Sequence, residues 1–157
     1  MFLSPDAVGK GWFDSMKYTI LFADDELDKI QGLIESVRAE GCNVLTCRDA
    51  STAIQRVKKG DIDCLVIDIM MDPGKDMPDV DPQTAGLTAI DQILALRKNQ
   101  AIVCLSVISN QNVIRSLKQK GVLYLRKGET SVSVAWKTIN SKMTGFYSRD
   151  SGFFTND

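Results

Sequence analysis

From Lys17 onward, short apolar runs alternate with segments whose apolar residues recur every three or four positions. The first run, YTILFA (18–23), predicts a strand. ELDKIQGLIESVRAEG (26–41) predicts a helix: Leu27, Ile30, Ile34 and Val37 fall on one face, and Gly41 supplies a stop. NVLTC (43–47) predicts a second strand. DASTAIQRVKKG (49–60) predicts a helix capped by Asp49, with Ala53, Ile54 and Val57 facing inward. DCLVIDIM (63–70) reads as a buried strand. After a break, LTAIDQILALRK (87–98) predicts a helix and AIVCLSVIS (101–109) a strand. NQNVIRSLKQKG (110–121) follows as a helix capped at Ser109 or Asn110. VLYLRK (122–127) reads as the last strand. TSVSVAWKTINSKM (130–143) reads as a helix with Val132, Trp136, Ile139 and Met143 on one side, Trp136 as helix packing.

Five strands thus alternate with five helices. Strands written as continuous apolar runs, without in–out alternation, are buried on both faces. Alternating βα units with short connections predict an α/β fold, a doubly wound five-stranded parallel sheet of flavodoxin-like (βα)5 type. In such sheets the ligand site lies outside the carboxyl ends of the strands, where the strand order reverses. Chemistry is therefore expected in the residues that follow each strand.

Composition narrows the choices. The 157 residues suffice for one domain with a full core. A net charge of −1 argues against a broad nucleic-acid footprint, which needs a basic surplus. The chain contains no histidine, so histidine catalysis, histidine metal ligands and a phosphohistidine step on this chain are excluded. The cysteines, at 42, 47, 64 and 104, form no C-x-x-C pair and read as reduced core thiols of a cytosolic protein, the alternative being a Cys42–Cys47 disulfide. No apolar run approaches the roughly 20 residues of a membrane span. The first 16 residues lack the basic start and apolar core of a secretory signal and read as an extension. The Gly9-Lys10 pair lacks the upstream glycine of a phosphate loop.

The strand ends carry the candidate chemistry. The first strand runs into Asp24 and Asp25. Two unit charges about 4 Å apart repel by on the order of 4 kcal/mol at a surface-like dielectric, so a cation is expected nearby. The third strand carries Asp68 after LVI, the fourth Ser106, and the fifth ends in Lys127. Carboxylates without histidine suit a hard, oxygen-seeking ion such as Mg2+. A lysine and a hydroxyl opposite them suit phosphoryl oxygens. Each residue also has a plainer reading. Asp24 and Asp25 favour a helix dipole, Lys127 is a solvated strand end, and Ser106 and Tyr124 are core residues. Asp68 inside an apolar strand has no such escape, because a buried charge needs a partner.

In this order and at these strand ends, the five polar positions resemble response regulator receiver domains of two-component signalling. LVIDIMM is similar to the family's hydrophobic-D-x-x-M run, and LYLRKG to its aromatic-hydrophobic-x-K run, with Tyr124 at the switch aromatic. The resemblance implies a receiver over residues 17–145, an N-terminal extension at 1–16 and a C-terminal tail at 146–157. It implies that Asp68 accepts phosphate from a sensor histidine kinase or phosphotransfer protein. Asp25, Asp68 and the Met70 backbone carbonyl are then the direct Mg2+ ligands, and Asp24 acts largely through water. Lys127 pairs with the phosphoryl group, Ser106 hydrogen-bonds it and moves, and Tyr124 follows. The chain is expected to be a phosphoacceptor rather than an enzyme. Its output is expected through a downstream protein target, without nucleic-acid or membrane binding, in the cytoplasm, and compatibly with a homodimer.

Three departures from the family pattern stand out. Gly86 and Leu87 lie 18 residues beyond Asp68, where the family makes this passage in far fewer. The added DPGKDMPDVDPQTAG (72–86) holds four aspartates and three prolines and is expected to gate Asp68 or offer a partner surface. Val107 follows Ser106 where a small residue is usual, which predicts crowding and slower phosphorylation or hydrolysis. Gly128 follows Lys127 where proline is usual, so no cis peptide is expected there. Two rivals follow: a phosphorylation-independent pseudo-receiver that binds proteins, and a Mg2+-dependent aspartyl phosphatase. The phosphatase class wants D-x-D, and here Ile69 and Met70 follow Asp68.

Overall fold

A computed structural model describes residues 18–145. The predicted extension at 1–16 and tail at 146–157 lie outside the described residues. Five parallel strands form one sheet in the order β2-β1-β3-β4-β5. They are β1 (Thr19–Ala23), β2 (Asn43–Cys47), β3 (Cys64–Ile67), β4 (Ile102–Ser106) and β5 (Leu123–Arg126). The helices are α1 (Gln31–Ala39), α2 (Ala50–Lys58), α3 (Ala85–Leu96), α4 (Gln111–Gln119) and α5 (Val132–Thr144). This is the doubly wound flavodoxin-like fold that the periodicity predicts.

The two faces of each central strand feed two cores. Leu21 and Ala23 of β1 pack with Ile54, Val57, Ile90, Ile93 and Leu117 under α2, α3 and α4. Ile20 and Phe22 pack with Ile34, Val37, Ala135 and Ile139 under α1 and α5. Trp136 and Met143 close the second core from its rim. Burial on both faces is why β1, β3 and β4 carry no polar alternation. The outer strands β2 and β5 are only partly covered, as edges are. Cys47, Cys64 and Cys104 are buried free thiols, so the alternative Cys42–Cys47 disulfide does not form, and burial pushes Cys47 and Cys64 up to about 12.

Several boundaries differ from the sequence expectation. Leu27–Ile30 forms a 3-10 turn before α1 begins, with its apolar residues still buried. β3 ends at Ile67 and β4 at Ser106, although apolar residues continue beyond both. The chain leaves the sheet at those points to build the rim. α3 begins at Ala85, after a 3-10 turn at Pro82–Thr84. The capping of α2 by Asp49 is as expected, and at α4 the cap is Asn110, whose Oδ1 accepts the Asn112 and Val113 amides.

Candidate functional site

Backbone bonds first set three residues level at the carboxyl edge. Asp24 N–H donates to Cys47 O at 3.1 Å, Asp68 N–H to Ala23 O at 3.1 Å, and Lys127 N–H to Ser106 O at 2.9 Å. Each bond carries a strand ladder one residue past its end. The side chains then meet at the junction of β1 and β3, where the strand order reverses.

Lys127 Nζ lies 2.7 Å from Asp24 Oδ2 and 2.7 Å from Asp68 Oδ2. Ser106 Oγ donates to Asp68 Oδ1 at 2.6 Å, and Ile69 N–H donates to the same oxygen at 2.7 Å. Asp24 Oδ1 accepts Glu26 N–H at 2.8 Å. Asp24 is 2%, Asp68 5% and Ser106 0% exposed. An isolated buried carboxylate would be very unfavourable. Here each is paired and hydrogen-bonded, and no buried side-chain N or O among the described residues lacks a partner. Burial pushes the Asp24 carboxyl above its ordinary 3.8, against the opposing bonds from Lys127 and the Glu26 amide. Burial alone would lower Lys127, but its bonds to Asp24 and Asp68 outweigh this and hold the ammonium above 10.5.

Asp25 is separated from its neighbour. It is exposed, and its Oδ2 accepts Asp72 N–H at 3.2 Å. An open cleft of about 570 Å³ lies over the buried cluster. Asp25, Asp68, Met70, Asp72, Val107 and Lys127 line it. Val107 is 47% exposed at this cleft.

Among the described residues, no three carboxylates or thiolates cluster tightly enough to form a metal cage unaided. Lys127 occupies the place between Asp24 and Asp68 that a cation would otherwise claim. The remaining donor set is Asp25, Asp68 and Met70 around one cleft. An ionised carboxylate offers about four lone-pair sites. Asp68 uses three, for Ile69, Ser106 and Lys127, and Asp25 uses one, for Asp72. Two carboxylates with spare acceptor capacity and a carbonyl fit Mg2+, which keeps several waters and takes few protein ligands.

The Tyr124 hydroxyl lies 3.0 Å from Ser106 O and also bonds to Ile108 O, so β5 is tied to the segment following β4. Lys127 sits in a turn closed by Glu129 N–H on Arg126 O at 3.2 Å. Gly128 takes φ +86°, which suits the third position of a type II turn. No cis peptide occurs among the described residues. The lysine therefore reaches both aspartates through a glycine turn rather than a proline.

Two contributors escaped the sequence analysis. Gly86 served there as a landmark only. A Cβ on it would lie 1.9 Å from Asp68 O, and its N–H donates to Ile69 O at 2.8 Å. Glycine at this helix start is what lets α3 approach the Asp68 backbone. The second is the Asp72 amide on Asp25, for which no side-chain pattern gives a signal.

The response regulator receiver domain family model matches residues 20–134. The chain belongs to that family. Solved receivers share its fold. A CheY-like receiver domain protein from Methanospirillum hungatei JF-1 is 14% identical, with a TM-score of 0.69 over 85% of this chain and 98% of its own. The Francisella response regulator 1452 receiver domain is 23% identical, with a TM-score of 0.66 over 83% and 99%. The chemotaxis response regulator CheY4 of Vibrio cholerae is 19% identical, with a TM-score of 0.64 over 80% and 98%. A comparison with curated proteins gave no match. No helix among the receiver's described residues is long and apolar enough to cross a membrane.

Proposed function

We propose that this receiver is a phosphoryl-accepting switch with Asp68 as the acceptor. One observation carries the proposal: directly after β3, Asp68 has Lys127 on one carboxylate oxygen and Ser106 on the other. A carboxylate held by a cation and a hydroxyl is oriented for attack, and both partners can turn to phosphoryl oxygens once charge arrives.

In the transfer, an Asp68 oxygen forms a bond to phosphorus as the donor's phosphorus–nitrogen bond breaks. The leaving imidazole stays with the partner, a sensor histidine kinase or phosphotransfer protein. Asp25, Asp68 and the Met70 carbonyl would hold Mg2+ directly, with Asp24 acting through water. When bound, that ion supplies neutralising charge for the phosphoryl oxygens. Lys127 shifts from Asp68 toward the new phosphoryl group, and the Ser106 hydroxyl redirects from Asp68 Oδ1 to a phosphoryl oxygen. Tyr124, bonded to the Ser106 carbonyl, follows. The modification replaces the single carboxylate charge with a phosphoryl group carrying roughly two, and the added charge and acceptor oxygens bias a two-state element. The chain acts as an acceptor, not as an enzyme on external substrates. It works in the cytoplasm and signals through a downstream protein.

The test is incubation with acetyl phosphate and Mg2+, read by intact mass, with beryllofluoride binding measured in parallel. Wild type should gain an aspartyl phosphate that chelation of Mg2+ prevents, and Asp68→Asn should gain none. An unmodified wild type that also ignores beryllofluoride would overturn the switch and favour a phosphorylation-independent binding module. Turnover of an added phosphoester would indicate a phosphatase.

A further inference from the structure

The insertion after β3 is bound along its length. Asp72 forms a bridge with Asp49, and its carbonyl accepts Ala50 N–H at 2.9 Å. Pro73 O accepts both Ser51 N–H, at 2.9 Å, and Ser51 Oγ–H, at 2.7 Å. The Ser51 hydroxyl, on a residue only 4% exposed, also accepts Asp76 N–H at 3.2 Å. Gly74 stands at φ +87°, where a Cβ would lie 2.4 Å from Asp49 Oδ1 and 2.6 Å from Ser51 Oγ. Farther on, Met77 is buried in the core shared by α2 and α3. The insertion returns where Pro82 O accepts Met71 N–H at 3.1 Å.

Asp72 is thus bolted to the start of α2 by its carbonyl. Its N–H points the other way and holds Asp25 Oδ2. The same segment forms one wall of the Asp68 cleft through Asp72, Pro73, Pro82 and Gln83. Its anchors, Ser51 and Gly74, lie outside that cleft, in a separate depression beside Asp49 and Thr52.

We propose that residues 72–84 are a docked strap whose role is to position Asp25, with Ser51 and Gly74 as remote positioning residues for cation binding. This rests on the reading of Asp25 as a Mg2+ ligand. An exposed aspartate loses side-chain freedom when it ligates, and a fixed amide on one oxygen removes part of that loss beforehand. Groups that orient metal ligands commonly change affinity by about ten- to a hundredfold.

The experiment measures the Mg2+ dissociation constant calorimetrically for the full chain. The variants are Ser51→Ala, Gly74→Ala and, as a stability control, Val57→Ala in the α2 core. The two anchor variants should weaken Mg2+ about tenfold. Val57→Ala should lower the thermal midpoint and leave the constant unchanged. Should Gly74→Ala not fold, Ser51→Ala and hydrogen exchange carry the test: the Asp72 amide should exchange faster in Asp25→Ala than in wild type. Anchor variants that bind Mg2+ like wild type, or a control that weakens it equally, would overturn the strap's role. A wild type that binds no Mg2+, or binds it equally well as Asp68→Asn and Asp25→Ala, would instead remove the metal reading and the strap's role with it.

Discussion

Asp24 is carried into the interior by a buried strand, and Lys127 meets it there. Adjacent carboxylates after an apolar run are legible in the sequence as a demand for a cation. Which cation answers is not, because Lys127 is 103 residues away and only the β5 register brings it in. The structure resolves the Asp24–Asp25 repulsion by sending one side chain inward and the other to the cleft. Two predictions belong to this scale. Lys127→Met leaves Asp24 and Asp68 buried without their shared cation. It should cost about 3 kcal/mol or more at neutral pH, read by urea unfolding in Mg2+-free buffer. The second concerns pH. The folded Asp24 carboxyl is held above its unfolded value of 3.8 mainly by burial. Between those two values the folded chain keeps a proton that the unfolded chain has released. Asp24's contribution is therefore full below 3.8 and is lost as pH rises through the folded value. Asp24→Asn lacks that loss, so its stability relative to wild type should climb as pH rises above 3.8 through the raised folded value. Parallel curves for the two proteins would contradict this.

At the scale of elements, what periodicity shows and what it hides separate cleanly. The apolar runs of β1, β3 and β4 are legible because both faces are buried. Their ends are not legible: Ile69 and Met71 are as apolar as the strand before them, yet leave the ladder to carry Asp68 into the rim. Glycines show the same limit, since their meaning depends on what approaches them. In α1, a Cβ on Gly32 would meet only Val132 Cγ2 at 4.0 Å. Gly32→Ala should therefore stabilise by roughly 0.5–1 kcal/mol through helix propensity. In α3, Gly86→Ala would place a Cβ against the Asp68 and Ile69 backbone, with contacts of 1.9 and 2.7 Å. Backbone cannot rotate aside like a long side chain, so the helix or the acceptor loop must shift. The expected cost is about 2 kcal/mol or more, with amide chemical shifts moving at Asp68 and Ile69. Equal effects from the two substitutions in urea unfolding would refute the close-approach argument.

For the whole molecule, order along the chain was enough to predict the parallel sheet and to place five polar positions on one edge. The docking of the insertion onto α2 was not predictable, because it runs mostly through backbone bonds and one buried serine hydroxyl. The same applies to the route from the pocket toward α4. Ser106 bonds Asp68 through its side chain and Tyr124 through its carbonyl, and Tyr124 also bonds Ile108, two residues before the Asn110 cap. A change at Asp68 that turns Ser106 therefore has a physical path to the start of α4. Tyr124→Phe removes the hydroxyl and keeps the ring. The two carbonyls then lose a donor, for a cost of about 1 kcal/mol. The pocket itself should survive, so beryllofluoride should still bind. What should shrink is the response at a distance: amide shifts from Ile108 through α4 on beryllofluoride addition should be smaller in Tyr124→Phe than in wild type, while those at Asp68 and Ile69 persist. A variant that propagates the full α4 response would show that the tyrosine hydroxyl does not carry the coupling.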